Sequence, residues 1–318
     1  MGVRKTIHQI QHDKSGASTL GGAMIGDPCH GTWLLDRSPM RINPKKCVAC
    51  GNCTYVCPMG AIYIDPVMKR ATIDRDECVE CYTCFNGLSQ EHLPPTLVRT
   101  VRTVFAALRI RFEPEPDVCP TAAFEPDELV WPRVVRRAFS DPRVPHESTG
   151  VEGRGTEEVK TNDVTGRVGP GDVGFTIELG RPGIGVRFYE IQEMCRALAA
   201  AGVAFEVKNP ITSLMSDVAT GTIRDDILGE KVLSAIVEIK VPVARAEEIV
   251  HLVWDVEQRL DTVVSIGAGV RCDERGQDTV VAPILERLGY RLERAKTNMG
   301  LGRRGEAVPV PEREMVST

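Results

Sequence analysis

The chain has no apolar run approaching the roughly 20 residues that a membrane-spanning helix needs, so no transmembrane segment is expected. Its start, Met1-Gly2-Val3-Arg4-Lys5, leads into a polar, glycine-rich stretch without the apolar core of a secretory signal. A cytoplasmic location is the resulting expectation. An excess of positive charge is also missing. The formal net charge is -5, with both signs spread along the chain, which argues against nucleic acid or an anionic membrane as a general partner. An even cysteine count is missing too, since eleven cysteines cannot all pair within one chain. Secreted disulfide scaffolds are small and do not repeat cysteine triplets at short spacing, so a metal site fits better.

The cysteines crowd into the first 120 of 318 residues. Cys47-x-x-Cys50-x-x-Cys53-x-x-x-Cys57-Pro58 carries three thiolates at a spacing that wraps one loop around a cluster, with a fourth pointing away. Pro58 suits a first helical position, where an N–H would have no partner. Soft thiolates favour iron in a sulfide cluster. Structural zinc takes four ligands in one tetrahedron, usually as two separated pairs, and fits this run less well.

The run is repeated. Residues Arg41 to Cys50 align with Thr72 to Cys81, and Cys84 matches Cys53. The fourth cysteine of the second copy is displaced: Cys119-Pro120-Thr121-Ala122-Ala123-Phe124 matches Cys57-Pro58-Met59-Gly60-Ala61-Ile62. An insertion over residues 85–118 separates it from Cys84, and two similar halves about a pseudo-twofold axis are expected.

These runs resemble the bacterial ferredoxins that hold two [4Fe–4S] clusters, over about residues 38–125. In that family the fourth cysteine of each run ligates the other cluster. The resemblance therefore implies Cys47, Cys50, Cys53 and Cys119 on one cluster, and Cys78, Cys81, Cys84 and Cys57 on the other.

Within the insertion, Leu97, Val101, Val104, Phe105, Leu108 and Phe112 recur at helical spacing after Pro94-Pro95, with Arg99, Arg102, Arg109 and Arg111 mostly off that line. Such a helix either covers a cluster with its arginines solvated, or offers a docking surface to an acidic redox partner. Residues 131–170, rich in Pro, Gly, Arg and Glu, have poor periodicity and read as an irregular linker or arm.

From residue 171 the pattern alternates strand and helix: strands at Val173–Leu179, Val203–Val207, Val232–Val241 and Val263–Val270, helices near Phe188–Leu198 and Ala244–Leu260, then a short helix at Pro283–Leu288 and a strand at Tyr290–Leu292. The expected class is α+β: a ferredoxin domain (38–130) with a helical insertion, then an α/β sandwich (171–295) of ferredoxin-like or ACT type, helices on one face. An N-terminal arm (1–37) and a tail (296–318) flank them.

The glycine-rich turn from Gly180 to Gly185 lies before a helix, where Arg181 and the helix N-terminus could take an anion, but it lacks the dinucleotide-binding order. Cys195 reads as a core residue, and Cys29 and Cys272 have no neighbours at ligand spacing. His251 fits a helix surface better than a general base. No catalytic residue is assigned, and placing Arg181, Lys208, Asn209, Lys296 and Asn298 in one pocket has no basis in the pattern.

A wider resemblance rests on Trp131-Pro132-Arg133, Ala138-Phe139-Ser140-Asp141-Pro142, Ser148-Thr149-Gly150-Val151, Gly153-Arg154-Gly155-Thr156-Glu157-Glu158, Lys160 to Arg167, Glu178 to Gly183 and Lys296 to Gly302. These strings resemble 6-hydroxynicotinate reductase and related ferredoxin-bearing ring reductases. That resemblance implies an oxidoreductase component for an N-heteroaromatic acid or similar conjugated ring, with FAD or FMN on a partner chain. The implied partners are a ferredoxin donor or a flavoprotein subunit, within an oligomer or complex. The rival reading is a sensor whose ACT-like domain binds a small molecule while the clusters act as a redox switch or staple.

Overall fold

The computed structural model describes residues 3–11, 40–87, 92–110, 119–144, 167–181, 183–273, 275 and 277–302, with the backbone alone at 3–11 and 291–302. The fold is α+β. Its first strand, β1 (Val3–Gln11), finds its partners only at the far end of the chain. Next come β2 (Arg41–Ile42), α1 (Asn52–Val56), β3 (Ile62–Ile64), β4 (Ala71–Ile73), α2 (Thr83–Asn86), α3 (Pro95–Ala107) and β5 (Phe124–Glu125). Antiparallel pairs β2–β5 and β3–β4 frame this cysteine-rich half, whose core holds Met40, Ile62, Tyr82 and Phe124 beside buried cysteines.

Helix α3 starts with Pro95 in its first turn, where the missing N–H costs nothing. Of its apolar residues only Val98 is buried; Leu97, Val104 and Leu108 are exposed. Phe112 and Arg111 lie outside the described residues, as do Cys29, residues 145–166 and residues 303–318.

Helix α4 (Val134–Ser140) stands in the stretch expected to be irregular. Val135 and Phe139 on α4 join the core of the second half, where Phe139 meets Phe188 edge to face at 5.5 Å. Arg136 and Arg133 turn back toward the cysteine-rich half. The segment is thus a helical bracket between the halves. Its Pro132 and Pro142 and its two inward arginines mask the helical period.

The second half continues with β6 (Asp172–Leu179), β7 (Val186–Arg187), α5 (Phe188–Ala200), β8 (Ala204–Phe205), α6 (Pro210–Ser213), β9 (Met215–Asp217), β10 (Thr222–Ile223), β11 (Lys231–Val232), β12 (Ala235–Pro242), α7 (Ala246–Glu257), β13 (Val264–Arg271), α8 (Val281–Arg287) and β14 (Arg291–Gly302). One antiparallel sheet runs β14-β1-β13-β6-β12-β8. Its strands β13-β6-β12-β8 interleave the β6-α5-β8 and β12-α7-β13 units, so each unit's two strands are separated by a strand of the other. The expected N-terminal arm instead supplies β1, inside the sheet, and β14 runs seven residues past the boundary expected at 295.

Phe188, Ile191, Met194, Cys195 and Leu198 bury one stripe of α5, and Ile249, Val250, Val253 and Val256 bury one of α7, both against the sheet. The Glu190 carboxylate accepts from the Arg187 N–H at 2.9 Å and closes the first turn of α5.

Candidate metal centres

The sequence repeat is reproduced in the backbone. Asn43 N–H donates to the Ala123 carbonyl at 2.7 Å, and the equivalent Asp74 N–H donates to the Ala61 carbonyl at 2.7 Å. The side chains of Asn43 and Asp74 each accept from the backbone two residues on, at 2.9 Å. Left-handed backbone recurs at matched positions: Ala49 (φ 55°) and Glu80 (φ 54°), Gly51 (φ 88°) and Tyr82 (φ 59°), Gly60 (φ 64°) and Ala122 (φ 48°). The last pair follows Cys57 and Cys119. The turn after Cys119 is therefore the same turn as that after Cys57, despite the insertion.

Two cavities follow from this geometry. Cys57, Cys78, Cys81 and Cys84 line one, with Met40 and Tyr82 among its apolar walls. Cys47, Cys50, Cys53 and Cys119 line the other, with Ile42 and Phe124. Each cavity thus gathers three cysteines of one run and the fourth cysteine of the other. Among the described residues no three His, Cys, Asp or Glu side chains converge closely enough to hold a single metal ion. The thiols instead ring cavities, a donor set suited to a larger thiophilic body.

Backbone donors are aimed at sulfur. Ala49 N–H and Ala71 N–H donate to Cys47 Sγ at 3.4 Å each, Ala61 N–H to Cys57 Sγ at 3.3 Å, and Ala123 N–H to Cys119 Sγ at 3.2 Å. Thr83 Oγ1 lies 3.2 Å from Cys81 Sγ. Such donors favour the thiolate, which is the form that ligates metal. Burial acts the other way in the metal-free chain. It raises the Cys50 and Cys81 thiols above their usual range, pushes Cys53 and Cys78 up to about 12, and raises Cys84 further. Filling either cavity with metal must therefore release protons.

Two of the arginines expected to be solvated, Arg99 and Arg102 on α3, hold backbone instead. Arg99 donates to the carbonyls of Lys45 and, at 3.0 Å, of Cys47; Arg102 donates to the Ala49 carbonyl at 3.4 Å. Both hold the Cys47 loop, and Arg109 is left exposed. Arg133, Arg136 and Glu80 occupy comparable places around the Cys78 loop and escaped sequence reasoning, because their partners lie more than 50 residues away.

The glycine-rich turn is a docking element. A side chain at Gly183 would meet the Pro58 carbonyl at 3.3 Å, and one at Gly185 would meet Met59 Cε at 2.6 Å. The turn therefore lies against the segment that follows Cys57, and Arg181 is paired with Glu178 at 3.2 Å. Pro182 lies outside the described residues. Cys195 and Cys272 are buried, and His251 is exposed on α7. Asn209 caps α6 by accepting from Ile211 N–H at 2.8 Å, while Lys208 is exposed. Lys296 and Asn298 lie on β14, where only the backbone is described.

Residues 39–87 match the 4Fe-4S dicluster domain. No curated protein and no solved structure matches the chain. This part of the chain is an iron–sulfur domain of the electron-transfer class. The match ends before Cys119. No helix among the described residues is long and apolar enough to cross a membrane.

Proposed function

We propose that the chain holds two [4Fe–4S] clusters, one through Cys47, Cys50, Cys53 and Cys119, the other through Cys78, Cys81, Cys84 and Cys57, and serves as the electron-transfer component of a reductase. The observation that carries this reading is the crossed arrangement of four cysteines around each cavity. When bound, such clusters supply one-electron storage at low potential. The chain's own part is to offer thiolates, direct N–H groups at the sulfurs and exclude water with Met40, Ile42, Tyr82 and Phe124.

The substrate class we propose is an N-heteroaromatic acid or similar conjugated ring, on the strings that resemble 6-hydroxynicotinate reductase. Reducing such a ring takes two electrons and protons, so we assign the pairing of electrons to FAD or FMN on a partner chain. A ferredoxin donor or a flavoprotein subunit completes the assembly. The α/β half, with its interleaved strands, grips the Cys57 and Cys78 segments, which suits a scaffold that orients one cluster.

The test is anaerobic. Reduced holo-protein, purified with its native partners, is mixed with 6-hydroxynicotinate, and cluster absorbance and ring absorbance are followed together. Ring-dependent reoxidation with loss of ring absorbance supports the reading. Clusters that stay reduced in the partner-complete sample contradict the ring-reductase assignment.

A further inference from the structure

The two cysteine loops are clamped by arginines at equivalent places, from helices that are not equivalent. Cys47 aligns with Cys78 and Lys45 with Asp76. Arg99, on α3, donates to the carbonyls of Lys45 and Cys47. Arg136, on α4, donates to the carbonyls of Asp76 and Cys78 at 2.8 and 2.9 Å. A second arginine supports each clamp: Arg102 reaches the Ala49 carbonyl at 3.4 Å, and Arg133 reaches the Arg75 carbonyl at 2.9 Å. The repeat itself encodes neither clamp, because α3 comes from the insertion and α4 from beyond the second run.

The charges around the two loops differ. Around the Cys78 loop five cations have acidic counterparts. Arg136 is paired with Glu230, Arg133 with Glu80 at 2.8 Å, Arg187 with Asp76 at 2.7 Å, Lys231 with Glu77, and Arg137 with Asp141 at 3.1 Å. The Glu80 carboxylate is fully buried and sits inside the loop, between Val79 and Cys81. Its counterpart in the other loop is Ala49, which has no charge. At the Cys47 loop, Lys46 pairs with Glu125 at 3.0 Å and Arg41 with Asp127 at 3.7 Å. Arg99 and Arg102, the two α3 cations that hold the loop, have no acidic partner among the described residues, and Arg99 Nε is buried with no hydrogen-bond partner. Arg70 also donates to the Pro44 carbonyl at 3.2 Å.

Reduction adds a negative charge to a cluster. Nearby uncompensated cations stabilise that charge, whereas a buried carboxylate opposes it. The effect is greatest where water is excluded and screening is weak. We infer that this asymmetry orders the two centres: the Cys47, Cys50, Cys53 and Cys119 centre has the higher reduction potential, and the Cys78, Cys81, Cys84 and Cys57 centre the lower. Arg99 and Arg102 raise the first; Glu80 lowers the second. The inference rests on the two-cluster reading above. A single electron entering the pair then settles on the centre whose loop Arg99 and Arg102 hold.

The test is a potentiometric titration of anaerobic, full-length holo-protein followed by EPR, on wild type, Glu80→Gln, Arg102→Gln and Arg102→Lys, each with its iron counted first. Glu80→Gln keeps the size of the side chain, and Arg102 is only partly buried, so both variants are suited to folding. Glu80→Gln is expected to raise the lower midpoint alone. The reduced-to-oxidised ratio at a fixed potential rises on the order of tenfold, about 59 mV for a one-electron couple. Arg102→Gln is expected to lower the higher midpoint alone, and Arg102→Lys to restore it. Two intact clusters in which Glu80→Gln moves the higher midpoint, or in which neither variant moves its own, overturn the ordering and leave the two-cluster reading standing. Wild-type protein with iron for a single cluster overturns both.

Discussion

Cys119 faces the same cavity as Cys47, although the inserted helix α3 separates their motifs along the chain. The turn after Cys119 repeats the turn after Cys57, and Ala123 N–H reaches Cys119 Sγ as Ala61 N–H reaches Cys57 Sγ. The insertion has moved this cysteine in sequence without moving it away from the Cys47 cavity. Cys119→Ser is therefore expected to remove about half of the bound iron, the share of one cluster. Iron and acid-labile sulfide per chain check it; unchanged iron contradicts it.

The bracket at Arg136 concentrates polar contacts between the halves. Its guanidinium is buried, paired with Glu230 and bonded to three backbone carbonyls of the Cys78 loop. Arg136→Met leaves the Glu230 carboxylate and the Asp76 carbonyl without this donor and the Arg75 and Cys78 carbonyls with Arg133 alone. The expected loss is about 3–5 kcal/mol of stability, read by chemical denaturation of the holo-protein. A loss within the noise of surface substitutions contradicts the bracket.

Gly185 has φ 72°, and a Cβ there would stand 2.6 Å from Met59 Cε and 2.9 Å from the Val232 carbonyl. Met59 can swing aside, but the carbonyl cannot. Gly185→Ala is expected to cost about 1–3 kcal/mol from the left-handed backbone, with a further penalty from the close approach. A melting temperature equal to wild type contradicts this packing.

Asp226 accepts from Trp131 Nε1 at 2.6 Å and from Arg224, whose guanidinium lies 4.5 Å from the centre of the Trp131 ring. Arg224, with Trp131 second, holds the Asp226 carboxyl below the usual carboxylate range. A depressed folded-state value means that this contribution is present above the unfolded-state value and disappears as pH falls through the folded one. Trp131 fluorescence is therefore expected to change only on strong acidification, and Asp226→Asn is expected to abolish that step. A step that persists in the variant contradicts the assignment.

Much of this was readable from the chain. Cysteine spacing is set by the reach of a loop around a metal body, so the two runs and the displaced Cys119 stand out whatever surrounds them. Strands β6, β12 and β13 and helices α5 and α7 follow from their apolar periods. Other features depend on distant partners. Strand β1, Val3-Arg4-Lys5-Thr6-Ile7-His8-Gln9-Ile10, is mostly polar with no period-two pattern, and nothing local says that it pairs with β13 and β14. The arginines at 99, 102, 133 and 136 look like solvated charges until the carbonyls they hold are seen. Glu80 looks like a loop residue until Arg133 covers it.

The most direct measurement is anaerobic iron and acid-labile sulfide analysis of the full-length protein, with EPR of the dithionite-reduced sample and a flavin assay alongside. About eight irons per chain, with interacting reduced-cluster signals, is the expected result for two clusters within tunnelling reach. Flavin in the chain purified alone would move ring chemistry into this chain and away from a partner. About four irons, or zinc in their place, would contradict the crossed arrangement of Cys57 and Cys119 and with it the two-cluster account.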